Sequence, residues 1–130
     1  MPKMVIYQDS FKAGADLSTH QFKCVELSAA DTVTLCNAAT DVCIGILQNK
    51  PKSTEAAAVM HIGRSQALAD GSGTAIAVGD FVGPNASGVL VKKATADFRT
   101  LGVALAAATA ANIVIDVMLL GPGAFRTAAG

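Results

Sequence analysis

The chain has no tryptophan, one tyrosine and five phenylalanines in 130 residues, so aromatics make up 5% of it. That scarcity argues against a core of stacked rings and against a sugar-binding groove lined by exposed aromatics. Charge is scarce too: 15% of residues are Asp, Glu, Lys or Arg, against about 25% in an ordinary soluble domain. Ten basic residues balance ten acidic ones, and no basic stripe exists to neutralise phosphates, so nucleic acid is not an expected partner. Zero net charge also removes the self-repulsion that holds soluble proteins apart, which suits a subunit packed in many copies. Cysteine occurs three times, at Cys24, Cys36 and Cys43, with no CxxC pair. An odd number without metal spacing reads as small buried thiols rather than a metal site. The first residues, MPKMVIYQDSFK, contain no apolar leader, and the expectation is a chain made and kept in a reducing cytosol.

Signatures of catalysis are missing as well. There is no GxSxG elbow and no HExxH, and no cysteine opens a glycine-flanked helix. His61 falls within a strand, VMHIG, and His20 follows Ser18–Thr19 in a turn. The glycine-rich DGSGTAIAVGD (70–80) carries no lysine and precedes a strand rather than a helix, unlike a phosphate loop. Asp70 and Asp80 stand at its two ends without alternating oxygen ligands between them, unlike a calcium loop. It reads as a turn. The expectation is a binding protein, not an enzyme, with no cofactor and no metal.

What the chain has in quantity is small apolar residues: 52% is hydrophobic, much of it alanine. The longest weakly charged run, GVALAAATAANIVIDVMLLG (102–121), contains one charge, Asp116. A second copy of the same unit decides its nature. Residues 22–45 and 81–102 align, as do GILQNKPKSTEAAAVMHIG (45–63) and 102–121. The landmarks Phe22 and Phe81, Gly45 and Gly102, and Gly63 and Gly121 lie 59, 57 and 58 residues apart. In the first copy the middle of the stretch holds Pro51 among Lys50, Lys52 and Glu55, which neither a membrane span nor a helix accommodates. The first copy therefore reads as a strand over 44–48, a loop over 49–55 and a strand over 57–62. The second reads as a strand over 101–105, a loop across AAATAAN and a strand across IVIDVMLL, rich in β-branched residues. The run is a hairpin, and no membrane partner is expected. KCVELS and TVTLC flank an AAD turn, and turn signals recur about every eight to twelve residues along the chain.

These elements predict an all-β fold: a small β-sandwich or barrel-like domain made of two similar halves, with an extended N-terminal arm. The boundaries are an arm over 1–16, a single domain over 17–125 with halves of about 17–70 and 71–125, and a tail over 126–130. The N-terminal segment has no partner in the duplication. Two placements are open to it: an extra edge strand of its own domain, or an arm ordered on a neighbouring subunit by strand addition. Its apolar residues Val5, Ile6, Tyr7 and Phe11 are the expected interface contacts. Deleting residues 1–12 is expected to leave the domain folded.

The segments AGADLSTHQFKCVELSAADTVTL, GILQNKP, EAAAVMHIGRSQALADG, AIAVGDFVGPNASG and LGVALAAATAANIVIDVML, in that order over residues 13–121, resemble the capsid cement (head decoration) proteins of tailed bacteriophages. The last loop departs from the resemblance, with Ala111–Asn112 where such proteins usually carry Gly–Glu. The resemblance implies a structural virion protein, often a homotrimer, that binds the major capsid protein on the outer surface of the expanded shell and stabilises the capsid by bridging capsomers. The competing expectation is a carbohydrate- or host-surface-binding β-module displayed on a particle, disfavoured by the missing tryptophan.

Overall fold

The computed structural model describes residues 7–38, 43–93 and 100–120, and among these every regular element is a strand. The all-β expectation is borne out. The strands are β1 (Tyr7–Ala13), β2 (Cys24–Ala29), β3 (Thr32–Leu35), β4 (Gly45–Leu47), β5 (Ala56–Ala69), β6 (Phe81–Pro84), β7 (Leu90–Lys92), β8 (Gly102–Ala104) and β9 (Ile113–Leu120). The last of these is IVIDVMLL itself, and it is one arm of a sheet rather than a span. No helix among the described residues is long and apolar enough to cross a membrane.

The first five strands close a barrel in the order β1-β3-β2-β4-β5, with β5 returning to β1 along an antiparallel ladder. The remaining strands repeat the plan. β6 pairs antiparallel with β7 and β8, and β8 with β9, as β2 pairs with β3 and β4, and β4 with β5. β9 then pairs along β5, and β7 touches β5 through one parallel pair, Ala69 with Leu90. The duplication holds residue by residue. Val25 opposes Leu35 and Gly45 in the first half, and Val82 opposes Lys92 and Gly102 in the second.

That register corrects one landmark. Phe81 opposes Val103 as Cys24 opposes Ile46, so the counterpart of Phe81 is Cys24 and not Phe22. The Gly45–Gly102 landmark stands, and Gly121 lies outside the described residues.

The structure also differs from the expected end of the fifth strand at Ile62, because β5 continues to Ala69. It serves two barrels. Its first part pairs with β1 and β4, and its second part, from Ile62 onward, with β9. Gly63 stands where the partners change, with φ at 114°, a conformation L side chains rarely adopt.

The N-terminal segment has a counterpart after all, and it is this second part of β5. Ala13 pairs in parallel with Val33 as Ala69 pairs with Leu90. Lys12 pairs with Ala56 as Leu68 pairs with Val114. Each barrel thus begins with an equivalent strand, and β1 is the first strand of the sheet rather than an arm set apart from it. The physical reason is hydrogen bonding: residues 8–12 ladder continuously onto β5.

The core follows the duplication. Ala13, Leu17, Val25, Val33, Leu47, Ala57 and Val59 fill the first barrel, with Phe11 and Leu35 packed against them. The second holds Ala67, Ala69, Val82, Leu90, Ala104, Ile115 and Val117. Large and small residues trade places across one equivalent pair: Phe11 opposes Ala57, whereas Ala67 opposes Ile115. Each barrel interior is filled, but by different strands. The outward residues of the first barrel, Cys24, Ile46 and Met60, are buried in the second barrel's cluster with Cys36 and Cys43. The buried-thiol expectation is met: all three cysteines are free and buried.

Candidate interaction surfaces

Apart from His20, whose buried Nδ1 has no hydrogen-bond partner among the described residues, the polar side chains that could have formed a reactive site are engaged in turns and cross-strand pairs. Asp16 accepts from the Ser18 hydroxyl and amide, and Asp70 does the same with Ser72. These bonds to Ser18 and Ser72 hold both carboxyls below the usual carboxylate range. Asp80 accepts the Ala77 amide and lies 3.5 Å from the Lys92 ammonium, so the DGSGTAIAVGD segment is built as two Asp-stabilised turns. His61 Nε2 sits 2.9 Å from Asp9 across β1 and β5, and its ring stands nearly perpendicular to that of Phe11 with the ring centres 6.2 Å apart. His20 titrates below the ordinary imidazole range, first because burial penalises its charge and then because Lys23 is near. The Cys43 thiol is pushed far up by burial, which leaves it protonated and unreactive. Among the described residues no group of three His, Cys, Asp or Glu side chains is placed to hold a metal ion.

The expected contact residues are distributed as follows. Val5 and Ile6 lie outside the described residues. Tyr7 opens β1 opposite Ile62. Phe11 is half-buried and packs into the first barrel's core, so its ring supports its own domain.

The apolar surface lies on the second barrel. Along the β5–β9 ribbon the outward residues pair as Ile62 with Leu120, Arg64 with Met118, Gln66 with Asp116 and Leu68 with Val114. Met118 then opposes Val103 on β8, and Val103 opposes Phe81 on β6. Ile62, Leu120, Met118, Val103 and Phe81 therefore form a continuous apolar patch over four strands. Ile62 is 41% exposed and the other four are half-buried. The Arg64–Asp116 ion pair, 2.6 Å long, borders it.

This patch is not among the residues expected from the sequence. A signal for it exists in IVIDVMLL, which is apolar on both faces of the strand. Such a strand is covered on both sides or exposes one apolar side, and here the outer side is the exposed one.

No family model matches this chain, and no curated protein does. Solved structures do. The crystal structure of the N base of the head fiber protein gp8.5 of bacteriophage phi29 matches with a TM-score of 0.59 at 14% identity, over 88% of this chain and 94% of that one. At that identity the likeness is one of fold, and it extends over both barrels: this chain has the fold of a phage head fiber base.

Proposed function

We propose that the protein is a capsid decoration protein: it binds the major capsid protein on the outer surface of an expanded phage shell and holds neighbouring capsomers together. The observation that carries this reading is the near full-length fold likeness to a head fiber base, joined to the cement-protein resemblance of residues 13–121. The chemistry agrees with a binding rather than a catalytic role, since the carboxylates, the His61 imidazole and the thiols described above serve turns, strand pairs and the core. A ligand that binds only the assembled, expanded shell stabilises it by its binding free energy, summed over every site. Trimeric binding would add avidity, and the chain is proposed to act as a homotrimer. Val5, Ile6 and Tyr7 remain the proposed capsid contacts.

The test is thermal. Expanded shells of its own phage, stripped of decoration, are heated with and without added protein while DNA release is followed. Retention of DNA to higher temperature, saturating with added protein, is the expected result. Release at an unchanged temperature would remove the stabilising role.

A further inference from the structure

The duplication relates two surfaces of the molecule that the fold itself leaves unequal. Within the chain, the second barrel docks on the outer face of the first. Cys24, Ile46 and Met60 are buried there, the Cys24 amide donates to the Gly88 carbonyl at 2.7 Å, and Leu35 fills the space beside Gly88. The docking element is the turn between β6 and β7. On the second barrel, the residues equivalent to Cys24, Ile46 and Met60 are Phe81, Val103 and Met118, the centre of the apolar patch. On the first barrel, the equivalent of the docking turn is the β2–β3 hairpin, where Asp31 adopts φ 53° as Gly88 adopts φ 74°. The hairpin carries Leu27, 53% exposed.

We infer that copies of this chain associate head to tail, the β2–β3 hairpin of one copy seating on the Phe81–Val103–Met118 face of the next. Where Gly88 meets Leu35 inside the chain, the same arrangement between copies brings Asp31 to Lys92, the residue equivalent to Leu35. Lys92 already lies 3.5 Å from Asp80 of its own chain, so Asp31 joins it as a second carboxylate. The two contacts are not identical. Asp31 already gives its carbonyl to the Lys12 amide, so the backbone bond of the internal contact is not repeated. Side chains carry the contact between copies, and it is the weaker and more reversible of the two. A head-to-tail contact closes into a ring or runs on as a filament, and a three-membered ring is the closure that a homotrimer requires. The three-membered closure rests on the homotrimer of the proposed function, whereas the contact itself is tested without any capsid.

Sedimentation velocity of the full-length protein across a concentration series tests it. Leu27→Ser, at an exposed position outside both cores, should weaken association by about tenfold, the loss of roughly half a leucine's burial. Asp31→Lys and Lys92→Glu should each weaken it, and an equal mixture of these two variants should recover it, with circular dichroism confirming that both are folded. A protein that stays monomeric throughout the series would overturn the inference. So would association indifferent to Leu27→Ser and to the charge exchange. Association that appears only after residues 121–130 are removed would assign the patch to the chain's own tail and overturn it equally.

Discussion

Gly102 lies so close under Met118 that a β-carbon on the glycine would fall on the methionine's carbonyl oxygen, and Gly45 stands in the same relation to Met60. The two contacts are equivalent in the duplicated plan. They mark the point in each barrel where a three-residue strand pairs with its longer neighbour.

Alanine at either position should therefore force the strands apart. Gly45→Ala and Gly102→Ala are each expected to destabilise the protein by about 2 kcal/mol or more, in the range of overpacked cores. Gly73→Ala is the control, because a β-carbon there meets nothing within 4 Å. Urea unfolding midpoints compare the three, and equal midpoints would remove the close-approach argument.

The exchange of size between the barrels makes a double-mutant test. Phe11→Ala is expected to cost about 2–3 kcal/mol, somewhat less than for a fully buried ring. Ala57→Ile alone overfills the same layer. Together they copy the Ala67–Ile115 pair of the second barrel, and the double variant should be more stable than the sum of the single effects predicts. Simple additivity in denaturant melts would show that the two positions do not share a packing layer.

The cysteines should be silent in the native state. Cys24, Cys36 and Cys43 are all buried, and Cys43 is held in its protonated form by burial. A thiol-reactive chromophore at mildly alkaline pH is expected to label none of these three in native protein and all three in denaturant. Rapid native labelling would contradict the packing of the two barrels.

Acid should weaken the turns at Asp16 and Asp70. Both carboxyls titrate below the usual aspartate value of 3.8 because Ser18 and Ser72 donate to them. A depressed folded value means their contribution is complete above the unfolded value and is lost as pH falls through the folded one. Ser72→Ala should raise the Asp70 value toward 3.8 and flatten that part of the acid limb, which carboxyl chemical shifts can follow. An Asp70 value unmoved by the substitution would show that the hydroxyl does not set it.

Much of this was legible in the sequence, and the misses have physical reasons. Turn residues and β-branched runs placed β4, β8 and β9 to within a residue or two of each end. Gly45 and Gly102 were readable because a close approach demands glycine in both copies. Phe22 and Phe81 misled because one aromatic looks like another, whereas ladder register matches Phe81 with Cys24. The kinship of β1 with the end of β5 was hidden because Phe11 corresponds to Ala67, with the bulk moved to Ile115. Gly63 looked like a strand end but is a bend within a continuous one. Deleting residues 1–12 would take away most of a barrel strand and Phe11, so it is now expected to unfold the first barrel. Deleting residues 1–6 leaves β1 whole and is the cleaner trial of Val5 and Ile6 as contacts. The apolar patch escaped because its residues come from three separate strands besides β9.

Co-sedimentation of the purified protein with expanded and unexpanded shells of its own phage, both stripped of decoration, tests the proposed role most directly. The account predicts saturable binding to expanded shells alone, at a simple multiple of the capsomer vertices. Absence of binding to either shell would contradict it.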